Sequence, residues 1–388
     1  MTIPRETVFK EPEFETRLAN TRQKMAARGI DTLILHSAPN IYYLCGHHTL
    51  NLWDYQCLIV PSNSPMVMLL WQFERGRFEA SATLAELELY ETHCDPIQAT
   101  LEVITSRNLL QGRIGIEAQS RYLNPKMHDQ LKDALNQANV VNGSGLVDSV
   151  RNIKSPAELS VMRKAAEITD LAIRSGFDRI DIGVTDSSIA ARVASVLIDQ
   201  HSLGFSVYPI ISAGYRSGMP HNSNFGYRIQ EGDPVFIECS PSHFWYHAPL
   251  MRTAVVGEAN RQIEEFAELE TEIVAAMLET AKAGALASDV AAVAASRIAP
   301  IRDQILFHEV YGYPVGIGFP PTWGEESGFA IVPSNHRPLK AGMVFHIPMT
   351  LRVNGEFGVG LSETFVVSEE GPPKTLSDLP LALHRVNP

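Results

Sequence analysis

The sequence predicts two domains: an α/β domain with a mixed sheet over residues 1–150, and an α+β domain with an antiparallel sheet and a pseudo-twofold repeat over residues 151–388. Three observations carry this. At 388 residues the chain exceeds the ~100 to 200 residues of one typical core. The first part alternates helical and strand patterns, as an α/β domain does. The second part contains two similar glycine-led helical segments, and strand-like runs follow them.

Taken in order, residues 13–28 are polar and amphipathic and fit a helix. The apolar run at 32–36 fits a buried strand, and 57–60, 66–71 and 113–117 are further strand-like runs. The domain boundary falls in residues 151–159. There Ser155 is a good N-cap, Pro156 suits the first helical position and Glu158 completes a capping box. Residues 183–193 and 284–293 are the two copies of the repeat. Each has a turn glycine, a polar cap region and a small-residue helix. Strands are expected at 234–239, 252–256, 343–347 and 364–367.

Hydrophobic residues make up 45% and charged residues 20%, with both signs mixed, which excludes a disordered chain. A net charge of −12 with no Lys/Arg run argues against nucleic acid or an acidic lipid surface as partner. A small-molecule substrate is the expected partner. The N-terminus has no apolar core of a signal peptide, and no apolar stretch approaches the ~20 residues of a membrane span, so a cytoplasmic protein is expected. Cys45, Cys57, Cys94 and Cys239 have no CxxC spacing and read as reduced structural residues.

The segment Asn40-Ile-Tyr-Tyr-Leu-Cys-Gly46, the Ile-Lys-Ser-x-x-Glu opening at 153–158 and the Met-Arg-x-Ala-Ala stretch at 162–166 resemble the creatinase, prolidase and aminopeptidase P superfamily. The resemblance implies a creatinase-like N-terminal domain and a "pita-bread" catalytic domain whose site lies on a curved antiparallel sheet. It also implies positions for the metal ligands of the metallopeptidase members. Those positions fall on Glu238, Pro249, Tyr313, Ile347 and Ser362. One plausible ligand in five remains, and a pair of divalent ions needs several carboxylates. No metal and no cofactor are therefore expected.

What the resemblance leaves is a metal-free site with His221, Glu238 and Glu363 as catalytic candidates. Trp53, Tyr55, Tyr246, His247, Tyr313, Glu325 and His346 are candidates for substrate binding. Each has a structural alternative. Arg252 can pair with Glu238, Glu363 points away from Ser362 in a regular strand, and the aromatic and histidine side chains can be packing residues. A cation such as an amidinium suits a site without a Lewis acid, because its carbon is already electrophilic and a carboxylate can bind it. The creatinase-type catalytic carboxylates fall on Met251 and Ile347, so the pattern looks closer to the ectoine-hydrolase-like branch than to creatinase. The expected activity is hydrolysis of a non-peptide C–N bond, most simply the opening of the ectoine or hydroxyectoine ring. The alternatives are another guanidino or amide compound, a non-catalytic binding protein on the same fold, or an Xaa-Pro peptidase with an unusual metal site. By resemblance the protein is a homodimer in which the segment at 47–55, with Trp53 and Tyr55, closes the pocket of a neighbouring subunit.

Overall fold

A computed structural model describes residues 3–387. The chain separates into two compact units, one ending at Arg151 and the other starting at Asn152.

In the first unit, α1 (Glu11–Ala27) has a proline and two acidic residues in its first turn, which suits the exposed backbone N–H groups there. It buries Phe14, Arg17, Thr21 and Met25, which lie on one face at helical spacing. There follow β1 (Thr32–Leu35), α2 (Ala38–Cys45), β2 (Cys57–Pro61), β3 (Met66–Trp71), α3 (Arg75–Ser81), β4 (Ala85–Tyr90), α4 (Pro96–Ser106), β5 (Arg113–Ile116), α5 (Pro125–Ala134), β6 (Asn139–Asn142) and α6 (Leu146–Arg151). The six strands form one sheet in the order β4-β3-β2-β1-β5-β6. Strand β1 runs parallel to β5 and antiparallel to β2, so the sheet is mixed. All four residues of β1 are buried, as its apolar run requires of a central strand.

The second unit opens on α7 (Pro156–Phe177). Glu158 N donates to Ser155 Oγ at 3.2 Å and Ser155 N to Glu158 Oε2 at 2.9 Å, which completes the capping box read from the sequence. After it come α8 (Asp186–Asp199), β7 (Ile210–Ala213), β8 (Pro234–Cys239) and β9 (Leu250–Val256). The second half of the repeat is α9 (Arg261–Thr280), α10 (Ala287–Ile298), β10 (Tyr313–Pro314), β11 (Val344–Ile347), β12 (Thr350–Val353), β13 (Phe357–Gly360) and β14 (Glu363–Val366), and the chain ends with β15 (Lys374–Thr375) and β16 (His384–Val386). Each half is thus a long helix, a glycine turn, a shorter helix and antiparallel strands. Gly183 and Gly284 make the two turns with φ of +81° and +91°, a conformation that side chains with a Cβ rarely adopt.

The strands form sheets β16-β9-β8-β7 and β10-β11-β14-β15, with the hairpin β12-β13 beside them. A seam joins the two larger sheets: Ser362 N donates to Met251 O at 3.2 Å, and Met251 N to Ser362 Oγ at 2.6 Å. Val235, Ile237, Cys239, Leu250 and Ala254 pack in one core with Ile173 of α7 and Val193 of α8. Phe345, Ile347, Leu351, Val359 and Phe365 pack in another with α9 and α10. Strand side chains alternate, so the residues between these point to the opposite, inner face. That face carries Phe236, Glu238, Met251, Thr253, His346, Thr350, Arg352 and Thr364.

Candidate active site

Glu238 is the one carboxylate that this alternation sends to the inner face of β8. It is 7% exposed, lies opposite Met251 across β8–β9, and makes no hydrogen bond or ion pair among the described residues. Burial holds its carboxyl up at about 7, against a partial downward pull from the Arg352 guanidinium. A carboxyl with that pKa exchanges protons near neutrality, as a general base or acid must.

Tyr313 pairs with His346 across β10–β11, their ring centroids 5.3 Å apart. Its hydroxyl accepts a hydrogen bond from Trp323 Nε1 at 2.9 Å. Burial, and then the charge of Glu238, push the Tyr313 phenol well above its ordinary range, so it stays protonated. His346 is fully buried, and burial followed by the charge of Arg252 lowers its imidazole to about 3. Thr364 Oγ1 donates to Pro249 O at 2.6 Å and lies 3.0 Å from His346 Nδ1. The hydroxyl proton is therefore committed, Nδ1 is the ring's donor, and Nε2 carries a lone pair with no partner among the described residues. Glu238, Tyr313 and His346 are thus the expected site residues on the inner strands.

The other expected residues have different surroundings. His221 is exposed in a loop with φ +54°, outside the strands. Burial lowers the imidazole of His308, and the charges of Arg352 and His221 lower it further, so both are within electrostatic reach of His308. Glu363 is on the helix side of β14. Its Oε1 takes Arg252 Nη2 at 2.5 Å, so Arg252 pairs with Glu363 and not with Glu238. The same guanidinium donates to Met251 O, Ser362 O, Leu379 O and Pro380 O, which makes the pair a brace for the seam and the C-terminal segment. This corrects the expectation that Glu363 joins Glu238, since the two lie on opposite faces.

Tyr246, His247 and Glu325 also differ from expectation. Tyr246 is buried and its hydroxyl donates to Glu158 Oε1 at 2.8 Å, tying it to the capping box of α7. His247 is buried, with Nε2 3.0 Å from both Gly318 O and Ser206 Oγ. Glu325 forms a buried ion pair with Lys154 Nζ at 2.6 Å and takes Ile317 N at 3.3 Å. Internal bonds occupy these groups, so they order the loops. In the first unit, Tyr55 is a core residue with its hydroxyl 2.9 Å from Thr100 Oγ1 and 3.2 Å from His36 Nε2, whereas Trp53 is 78% exposed.

Arg352 is the residue that sequence reading missed. It lies on the inner face of β12, 114 positions from Glu238, in a stretch with no motif to mark it. A separate open cavity of about 500 Å³, lined by Tyr215, Asp233, Arg261 and Phe357 among others, does not include Glu238 or Arg352.

The metal-ligand positions do not fit a metal pair. Ser362 Oγ accepts from Met251 N, the Tyr313 hydroxyl from Trp323, and Pro249 O from Thr364, while Ile347 packs in the α9–α10 core. Among the described residues no three His, Cys, Asp or Glu side chains are grouped to hold a metal ion. Nor is any helix among them long and apolar enough to cross a membrane.

Residues 17–153 match the Creatinase/Prolidase N-terminal domain, and residues 160–369 match metallopeptidase family M24. The ectoine hydrolase of Halomonas elongata is 26% identical over 404 residues, covering 97% of this chain and 98% of that protein. An Xaa-Pro dipeptidase of Pyrococcus horikoshii is 25% identical over 347 residues, covering 89% and 93%. The crystal structure of dipeptidase PepE from Mycobacterium ulcerans superposes with a TM-score of 0.83 at 21% identity, covering 98% and 99%, which is a likeness of fold.

Proposed function

This chain belongs to metallopeptidase family M24, and from that premise we propose that it is a hydrolase that opens a C–N bond of a small cationic amidine without a metal pair, with ectoine or hydroxyectoine as the leading substrate. The observation that carries this reading is Glu238: a buried carboxylate with no partner among the described residues and a pKa of about 7, while the other positions that the resemblance gives to metal ligands have no side-chain donor or have it hydrogen-bonded. Similarity to an ectoine hydrolase over nearly the whole of both chains supports it.

The chemistry follows from the charge. Ionised Glu238 attracts the amidinium, and the positive charge spread over its N–C–N unit makes the carbon electrophilic without a Lewis acid. As water attacks that carbon, Glu238 takes one of its protons and a C–O bond forms, while the C=N electron pair moves to nitrogen. Protonated Glu238 then gives its proton to the leaving ring nitrogen. The C–N bond breaks with its electron pair going to that nitrogen, the carbonyl forms, and the hydroxyl proton ends on the released amine as ammonium. Amidinium and water thus become amide and ammonium. The His346 imidazole, neutral at this pH, offers Nε2 as an acceptor for an amidine N–H.

The test is incubation of chelator-treated protein with ectoine, with NMR detection of N-acetyl-diaminobutyrate. Turnover is expected, and no product at high enzyme concentration would overturn the proposal. Because Xaa-Pro dipeptidases are also relatives, Xaa-Pro dipeptides are assayed alongside. Their cleavage by protein carrying stoichiometric manganese, cobalt or zinc would replace this reading with a peptidase.

A further inference from the structure

We infer that Arg352 anchors a carboxylate on the substrate, so that the site selects small zwitterions bearing both an amidine and a carboxylate over amidines with a neutral end. This rests on the amidine reading above and specifies which amidines qualify.

The geometry is that of two opposite charges held on one face and kept apart. Arg352 is 8% exposed. Its guanidinium carbon stands 5.2 Å from the centre of the Phe236 ring. Phe236 and Glu238 are alternate residues of β8, so they share the inner face ~7 Å apart along the strand. Each charge reaches the other electrostatically. Yet no ion pair joins them, although a nearly buried carboxylate and guanidinium would be expected to pair if their backbones allowed it.

Two contacts hold the guanidinium in place. Nη1 donates to Thr350 Oγ1 at 2.6 Å and Nε to Ser217 O at 3.3 Å. Nη2 has no acceptor among the described residues, and neither has Glu238 a donor. Gly358 and Gly360, on the same face of the β12-β13 hairpin, keep the backbone close. A Cβ at Gly360 would meet the Phe236 ring, and one at Gly358 would meet Ser217 O. The hairpin is therefore seated against β8, and Arg352 cannot swing far from Phe236. A ligand with a cationic carbon at Glu238 and a carboxylate at Arg352 would satisfy both unpaired charges at once. A guanidinium already held at two nitrogens loses little entropy in binding that carboxylate.

The experiment compares kcat/KM for ectoine with that for 2-methyl-1,4,5,6-tetrahydropyrimidine, the same cyclic amidine without the carboxylate. The wild type should prefer ectoine by about 10- to 100-fold, the range of charge-assisted hydrogen bonds. Arg352→Met should bring the ratio of kcat/KM for ectoine to that for the analogue close to one, with the extra loss for ectoine mainly in KM, while Arg352→Lys should keep part of the preference. If the wild type handles both compounds within about threefold, or if Arg352→Met lowers both equally, the anchor is wrong and the amidine reading stands. If the wild type turns over neither compound, the amidine reading itself falls and takes the anchor with it. Should Arg352→Met fail to fold, the two-substrate comparison on the wild type still decides.

Discussion

Replacing Glu238 by glutamine should abolish activity and stabilise the protein, with a gain that is absent at pH 4.5, grows as pH rises and is complete above about 7. Burial raises the Glu238 carboxyl from 4.5 to about 7, so between those values the folded state holds a proton that the unfolded state has released. The sign follows: the stability associated with the protonated group is fully present below pH 4.5 and is lost as pH rises through about 7. At 1.36 kcal/mol per pH unit the loss comes to about 3 kcal/mol once the group is ionised. Glutamine has a similar shape and no charge, so E238Q escapes that loss. About 1 kcal/mol moves Tm by roughly 2–4 °C in a domain of this size, so E238Q should melt roughly 6–12 °C higher than wild type at pH 8.5. At pH 4.5 the two should melt together. The assay is differential scanning calorimetry of both proteins across that pH range, following the transition of the second unit. An equal gain at both pH values, or none at pH 8.5, would refute a carboxylate that is buried, ionised and unpaired at high pH.

If Glu238 acts as base, kcat/KM for the amidine should rise with pH and level off above about 7, whereas a limb near 4.5 would indicate a solvated carboxylate. Arg252→Met should destabilise the second unit by about 3–5 kcal/mol in urea titrations, because it strands Glu363 in the interior; Glu363→Gln should cost less and leave KM near wild type, which distinguishes a brace from a catalytic group. Tyr313→Phe should cost about 1–3 kcal/mol of stability, since Trp323 Nε1 loses its acceptor. We also expect a homodimer in which Trp53 covers a neighbouring pocket: light scattering should give twice the 42.8 kDa chain mass, and Trp53→Ala should raise KM more than it lowers kcat.

Local chemistry was legible in the sequence wherever it acts over a few residues. The capping box at Ser155 and Glu158 needs one helical turn, and the structure forms it with both hydrogen bonds. The strand at 234–239 was readable because every residue of β8 is buried and its apolar run has no competing helical period. Strand alternation was the structural alternative for Glu363, which the family resemblance nevertheless placed among the catalytic candidates. Partner choice was not legible, because it depends on which strands meet. Arg252 lies one position from Met251, which faces Glu238 across β8–β9, yet its side chain leaves by the other face and meets Glu363, 111 residues on.

The sequence alone determined the two-domain architecture and placed Pro249 and Ile347 at positions where the family resemblance implies metal ligands. Helix caps and apolar periods are local, and a proline or an isoleucine has no side-chain ligand atom in any fold. Only the tertiary structure decided which polar residues share a surface. It seated His247, Tyr246 and Glu325 in internal bonds, and it set Arg352 and Glu238 on one face as unpaired opposite charges. Hydrogen-bond satisfaction and burial belong to the packed chain, and residues 114 positions apart acquire them together only when their strands are brought side by side.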